Sequence, residues 1–146
     1  TPLYSSAASD VYKRQDVIVG NDEEFGFMAG DIKEGLAKAR GLSKTSAKIV
    51  IYKMGEKGAI TFADDLELHT GIYSVIPLKP TGAGDSFMAG FLVSMAQGLS
   101  LEQSILRGSA CAAIVVGKPG CAPAMPYPGD LETFLAQHPG PSDIKG

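Results

Sequence analysis

Apolar residues in the first third of the chain change from a strand pattern to a helix pattern. The run DVIVGN at 16–21 is apolar and ends in a small polar turn. After it, apolar residues recur mostly every three or four positions, at Phe25, Met28, Ile32, Leu36 and Ala39. That spacing places side chains on one face of a helix. The pattern predicts a strand followed by helical segments, with an interruption near Gly30.

The middle of the chain has the composition of a β-sheet. The segment AKIVIYKMG at 47–55 is rich in β-branched residues, which favour a buried strand. The segment GAITFADDLELHTGIYSVI at 58–76 has the pattern of two or three short strands joined around Asp64 and Asp65. Aspartates at such a junction are typical turn formers.

Helical spacing returns after Pro80. One helix is predicted from about Gly84 to Gln97, ended by Gly98. Its apolar face is predicted to consist of Phe87, Met88, Phe91, Leu92 and Met95. From one turn to the next these residues recur every three or four positions, as one helix face requires.

Two further helices complete the predicted pattern. Ser100 stands three positions before Gln103, which is a capping-box arrangement at the start of LEQSILRGSACAAIVVG. A Pro/Gly loop follows, and DLETFLAQH at 130–138 has the pattern of a short closing helix. Strands that alternate with helices predict an α/β layered domain with a mostly parallel sheet.

Composition narrows the possible functions. With 146 residues the chain is long enough for one compact domain with a modest core. The 13 basic and 16 acidic residues are scattered, with a net charge of −3, which argues against nucleic acid as a partner. The longest apolar run, at 110–116, is far below the ~20 residues that cross a bilayer. Two cysteines, Cys111 and Cys121, support neither a zinc site nor a disulfide framework and indicate a reducing, cytoplasmic location.

The chain divides into three parts by pattern. Residues 1–15 have neither helical nor strand periodicity and are expected to be a non-native or disordered leader. Residues 16–140 carry the predicted strands and helices, and residues 141–146 form a polar tail.

A loop of small residues is the strongest candidate for chemistry. Gly82, Ala83 and Gly84 stand directly before Asp85 and a predicted helix. The first main-chain N–H groups of a helix lack intrahelical acceptors and attract anions, and small residues let a phosphate approach them. A carboxylate beside such a cradle suits phosphoryl transfer, where it accepts the proton of the attacking hydroxyl. The alternative is an ordinary helix start, because Asp is common in first turns.

The segment KPTGAGDSFMAGFL at 79–92 resembles the second signature of the PfkB group of carbohydrate kinases. The resemblance implies the ribokinase-like fold, a three-layer α/β/α domain of which this chain would be the C-terminal part. It also implies that Asp85 is the catalytic base and that Gly82, Ala83 and Gly84 form the anion hole. Many members have Asp-Thr where this chain has Lys79-Pro80, near the expected positions of the phosphates and of a monovalent cation such as K⁺.

Three other segments are similar to the family in the same order. NDEE at 21–24 matches an Asn-x-x-Glu element, which implies that Asn21 and Glu24 organise Mg²⁺ through water; the alternative is a solvated acidic helix start. KMGEKGA at 53–59 resembles the segment bordering ATP, or is an ordinary hairpin. GSACAAIVVGKPGCAPAMP at 108–126 resembles the adenine wall. By this resemblance, six residues of these last two segments are expected to border ATP: Lys53, Gly55, Gly58, Gly117, Cys121 and Ala122.

The resemblance implies ATP-dependent transfer to a primary hydroxyl of a sugar or sugar acid. Within the family the segments are most similar to the kinases of bacterial inositol catabolism, so 5-dehydro-2-deoxygluconate is the expected acceptor. Alternatives are a fructokinase, a 2-dehydro-3-deoxygluconokinase or a nucleotide-binding module without turnover. The resemblance covers the C-terminal part of the family, so we expect the half that reads the sugar to lie outside this chain. We therefore expect this chain alone to be inactive, and the full-length protein could be a homo-oligomer.

Overall fold

The computed structural model describes residues 15–120 and 124–141, and the chain divides into two compact units, residues 1–69 and 70–146. The first unit alternates strands and helices as predicted. Its elements are β1 Gln15–Asn21, α1 Asp22–Ala29, a 3-10 helix Ile32–Glu34, α2 Gly35–Thr45, β2 Ala47–Lys53, a 3-10 helix Gly55–Lys57, β3 Ala59–Ala63 and β4 Leu66–Thr70, which runs one residue past the boundary.

The four described strands form one mixed sheet in the order β1-β2-β3-β4. β1 pairs with β2 in parallel, and β2 pairs with β3 antiparallel. The α/β class is confirmed, but the prediction of a mostly parallel sheet is wrong for the described strands. A parallel pair needs a crossover of a dozen or more residues, and only the helical connection between β1 and β2 is that long. Asp64 and Asp65 join β3 to β4 as a two-residue turn, and Asp64 has a φ of 52°.

Helices α1 and α2 cover one face of this sheet. Phe25 on α1 and Leu42 on α2 are buried in one cluster with Val50 and Tyr52 on β2. The rings of Phe25 and Tyr52 are 5.5 Å apart. The predicted interruption is confirmed at Gly30, whose φ of 85° ends α1 in a left-handed conformation that glycine adopts without strain.

The second unit is helical in its described part. Its helices are α3 Ala83–Ala96, α4 Leu101–Val116 and α5 Pro128–Gln137. The capping box at Ser100 is confirmed, because its side chain accepts from the Gln103 main-chain N–H at 3.2 Å and the reciprocal bond is also 3.2 Å. The closing helix begins two residues earlier than predicted, because Pro128 occupies its first turn, where proline is favoured. None of the helices in the residues described is long and apolar enough to cross a membrane.

The buried face of α3 differs from the predicted one. Phe87 and Phe91 are buried and their rings stack at 6.2 Å, as expected. Leu92, however, is 47% exposed, whereas Ser86 and Ser94 are almost fully buried. The prediction for Leu92 is wrong because the close neighbour of α3 is another helix, and a close contact selects small side chains rather than the most apolar ones.

Glycines bring α3 and α4 close together. A Cβ added to Gly90 on α3 would lie 2.7 Å from the Cys111 Sγ on α4, and one added to Gly108 on α4 would lie 2.8 Å from the Phe87 main-chain O. Cys111 is buried, as predicted for a small core residue. Burial raises the pKa of its thiol, and the charge of Arg107 offsets part of that rise.

Candidate active site

The turn before Asp85 is a glycine turn at the N terminus of a helix, the position predicted for the anion hole. Gly82 precedes α3 in the left-handed conformation, with φ 88° and ψ −7°, and its carbonyl accepts from the Ser86 N–H at 3.0 Å. The N-cap residue of α3 is Gly82, which has no side chain to cap the helix. Asp85 lies exposed in its first turn. An acidic residue in the first turn is also favoured by the helix dipole, so the alternative of an ordinary helix start is compatible with this geometry.

Helix α4 holds the segment that leads into this turn. The Val116 carbonyl accepts from the Leu78 N–H at 2.7 Å and from the Lys79 N–H at 3.3 Å. Gly117, one of the residues predicted to border ATP, ends α4 directly after Val116. The structure therefore brings Gly117 next to the segment that precedes Gly82. Cys121 and Ala122 lie outside the described residues.

Asn21 and Glu24 form a capping box at the start of α1. The Asn21 Oδ1 accepts from the Glu24 main-chain N–H, and the Glu24 Oε2 accepts from the Asn21 main-chain N–H, both at 2.8 Å. The acidic helix start considered as an alternative is therefore present. In the described part of the chain, no cluster of three or more His, Cys, Asp or Glu side chains could hold a metal ion.

The capping box is compatible with a role for Mg²⁺ through water. Mg²⁺ prefers oxygen ligands and usually keeps several of its waters. The Glu24 Oε1 takes no part in the two capping hydrogen bonds, and the carboxylate is exposed. These oxygen atoms fit an ion that is held through its hydration shell. The assignment of Asn21 and Glu24 to Mg²⁺ stays a prediction.

Lys53 lies beside this capping box. Asn21 and Lys53 are register partners at the carboxyl ends of the parallel strands β1 and β2, so their side chains leave the same face of the sheet. The structure therefore brings Asn21, Glu24 and Lys53 to one end of the first unit, whereas Asp85 belongs to the second. Next to Lys53 in β2, burial and then the charge of Asp22 raise the pKa of Tyr52.

The segment after Lys53 is a tight hairpin turn. Gly55 has a φ of 59°, and Gly58 has φ 88° with ψ −144°, a combination that glycine alone adopts readily. The Met54 N–H donates to the Gly58 carbonyl at 2.8 Å, and the turn joins the antiparallel strands β2 and β3. The hairpin alternative is thus correct as a description of the backbone, and contact with ATP stays a prediction.

Comparison with known proteins assigns the chain to a family. The model of the pfkB family of carbohydrate kinases matches residues 1–128. The chain belongs to the pfkB family. The predicted membership is confirmed, while the division into a leader, a catalytic part and a tail stays a prediction.

A curated relative and two solved structures place the chain within this family. The 5-dehydro-2-deoxygluconokinase 2 of Bacillus cereus is 34% identical over 141 residues, which cover 92% of this chain and 41% of the relative. The ribokinase of Thermotoga maritima matches with a TM-score of 0.79 at 26% identity, over 86% of this chain and 44% of that one. The Arabidopsis thaliana ribokinase, solved with ribose and ATP, matches with a TM-score of 0.72 at 29% identity, over 82% and 40%.

These comparisons confirm the ribokinase-like fold, and they set the extent of the match. This pfkB chain spans about 41% of the length of the curated relative. Sequence reasoning did not identify two contacts of α4: Gly108 against Phe87, and the Val116 carbonyl with the segment before Gly82. A glycine inside a predicted helix was the available signal for Gly108, since such a glycine often marks a packing contact.

Proposed function

We propose that the protein containing this chain transfers the γ-phosphoryl group of ATP to a primary hydroxyl of 5-dehydro-2-deoxygluconate. The observation that carries the proposal is the N terminus of α3, where Gly82 in the left-handed conformation precedes an exposed Asp85 in the first turn. The name of the curated relative supports the acceptor, at 34% identity. The ribokinase solved with ribose and ATP supports the nucleotide.

The proposed reaction assigns one task to each part of the turn. The acceptor oxygen attacks the γ-phosphorus, the bond from that phosphorus to the bridging oxygen breaks, and ADP leaves. Asp85 accepts the hydroxyl proton as the new bond forms. Main-chain N–H groups of Gly82, Ala83 and Gly84 stabilise the negative charge on the transferred group, as dipoles at a helix N terminus do.

The other residues predicted from the sequence have further tasks in this proposal. Asn21 and Glu24 would hold Mg²⁺ through water, and the ion when bound would neutralise phosphate charge. Lys53 would add a positive charge, and Gly55 and Gly58 would let the main chain approach ATP. Gly117, Cys121 and Ala122 would lie toward the adenine. A cation such as K⁺, a homo-oligomeric state and a cytoplasmic location remain predictions.

A coupled ADP-release assay tests the proposal. The full-length protein encoded by the reading frame that contains this chain is incubated with ATP, Mg²⁺ and a panel of acceptors. The panel contains 5-dehydro-2-deoxygluconate, 2-dehydro-3-deoxygluconate and fructose, and ATP without an acceptor is the control. We expect the highest kcat/KM with 5-dehydro-2-deoxygluconate. A clear preference for fructose or 2-dehydro-3-deoxygluconate would replace the acceptor, and ADP release with none of the three would contradict the proposal.

The second candidate function is nucleotide binding without turnover by these 146 residues alone. The observation that favours it is the extent of the match, because the aligned part covers only 41% of the curated relative. Calorimetry with ATP and Mg²⁺ on the isolated chain separates the two functions. Binding without acceptor-dependent ADP release supports this candidate, and acceptor-dependent release contradicts it.

A further inference from the structure

We propose that helix α4 positions the catalytic turn on both sides, by contacts with the segment before Gly82 and with the residues after Asp85. Gly108 is then a positioning residue for Asp85. The inference rests on the proposed function, because it assigns a purpose to the placement of Asp85. It concerns only residues of the second unit. Two independent contacts carry it, one on the segment before Gly82 and one on the residues after Asp85.

The first contact fixes the segment that leads into the turn. Pro77 and Pro80 have no main-chain N–H, so Leu78 and Lys79 hold the only main-chain donors between them. Both donate to the Val116 carbonyl, at 2.7 and 3.3 Å. The last carbonyls of a helix have no intrahelical partner, so the Val116 oxygen is available for these bonds. The C-terminal end of α4 thus holds the chain three and four residues before Gly82.

The second contact fixes the segment that follows the turn. At Gly108, a Cβ would lie 2.8 Å from the Phe87 main-chain O and 3.1 Å from two Phe87 ring atoms. Phe87 comes two residues after Asp85 on the same helix. A main-chain oxygen cannot rotate away as a side chain can, so a larger residue at 108 must separate α4 from the main chain of α3 at Phe87, less than one turn after Asp85. The missing side chain of Gly108 therefore sets the distance between α4 and the turn that carries Asp85.

Gly90 provides a matched control on the same helix pair. A Cβ at Gly90 would lie 2.7 Å from the Cys111 Sγ, a similar overlap, but its nearest main-chain atom, the Arg107 O, is 3.1 Å away, and Gly90 lies five residues after Asp85. In the full-length protein, a displacement of about 1 Å at a catalytic group can lower the rate about 10²-fold. We therefore expect Gly108→Ala to lower kcat about 10²-fold, with the KM for ATP changed much less. Gly90→Ala is expected to retain most of kcat.

Hydrogen exchange gives a readout that does not depend on turnover. The Ser86 N–H, which donates to the Gly82 carbonyl, closes the first turn of α3. Its exchange should be faster in Gly108→Ala than in Gly90→Ala at equal global stability. Equal losses of kcat and equal Ser86 exchange in the two variants would overturn the positioning role of Gly108.

A second pair of variants tests the contact before the turn and keeps the proposal testable if Gly108→Ala does not fold. Leu78 is 65% exposed, so its side chain contributes little packing. Leu78→Pro removes the N–H that bonds to Val116, whereas Leu78→Ala keeps it. We expect a loss of kcat in the proline variant alone. Equal kcat in the two variants would overturn the role of Val116.

An Asp85→Asn variant measured in parallel separates this inference from the proposed function. If Asp85→Asn keeps turnover, the assignment of Asp85 fails. If Asp85→Asn is inactive while Gly108→Ala behaves like Gly90→Ala, only the positioning role fails.

Discussion

The close contact between Gly90 and Cys111 gives a quantitative prediction for stability. In Gly90→Ala the new Cβ would lie 2.7 Å from the Cys111 Sγ and 3.1 Å from the Arg107 main-chain O. Non-bonded carbon atoms normally sit about 3.5–4.0 Å apart, so the methyl group and the sulfur must separate by about 1 Å. The two helices therefore have to separate locally at Gly90, or Cys111 has to leave its favoured side-chain conformation.

Two opposing terms set the size of the effect. Overpacking of this kind costs about 1–3 kcal/mol. Replacing glycine by alanine inside a helix returns up to about 1 kcal/mol of helix propensity. The variant Gly41→Ala measures the helix-propensity term alone, because Gly41 is exposed within α2 and a Cβ there meets nothing within 4 Å. We expect Gly41→Ala to be stabilising by up to about 1 kcal/mol and Gly90→Ala to be destabilising by up to about 2 kcal/mol.

Cys111→Ala supplies the second half of a double-mutant cycle. It removes the Sγ, after which the nearest atoms to the new Cβ are the Arg107 O at 3.1 Å and the residue 111 Cβ at 3.2 Å. Because burial raises the pKa of this thiol, the substitution removes a neutral group and changes no charge. The two changes should therefore couple favourably, by about 0.5–3 kcal/mol.

Urea unfolding of the wild type, the two single variants and the double variant, followed by circular dichroism, measures the coupling. The free energy of unfolding of the double variant should exceed the value expected from adding the two single effects. Strict additivity would refute the packing argument, as would stabilisation by Gly90→Ala equal to that by Gly41→Ala.

Two further predictions concern the first unit. Asn21→Ala should lower the free energy of unfolding by about 1 kcal/mol, because the Glu24 N–H loses its cap, whereas Asn21→Asp should retain most of that stability. Urea unfolding of both variants checks this prediction, and equal losses of stability would contradict it. Hydrogen bonds from His69 and then Arg40 lower the pKa of Glu67, so this pairing stabilises the fold above the ordinary Glu pKa of 4.5, and its contribution is lost as the pH falls through the lowered value. The difference in Tm between the wild type and Glu67→Gln should therefore shrink on acidification, and a difference that does not change with pH would contradict the assignment.

Local signals in the sequence predict the helices well. Ser100 with Gln103, Gly30 and Pro128 each act on their own turn of helix, so their effects hold without knowledge of the tertiary structure. Asn21 with Glu24 illustrates the limit of such signals. An acid three residues after a capping residue forms a capping box and also matches a metal-organising motif, so the spacing alone does not separate the two.

Tertiary contacts are where sequence reasoning fails. The exposure of Leu92 follows from which helix packs on α3, and that is not encoded in the apolar spacing of α3 itself. The bonds from Leu78 and Lys79 to the Val116 carbonyl join main-chain groups far apart in sequence, and no side-chain pattern marks them. The sheet is mixed because the connections after β2 are short, a feature that the alternation of strands and helices does not reveal.

The central claim is that Asp85 is the proton acceptor of a kinase turn, and Asp85→Asn in the full-length protein tests it most directly. Asparagine has nearly the same shape but cannot accept the proton, so ADP release with 5-dehydro-2-deoxygluconate should fall about 10²–10⁴-fold. ATP binding, measured by calorimetry, should stay close to that of the wild type. Turnover close to that of the wild type in this variant would contradict the claim.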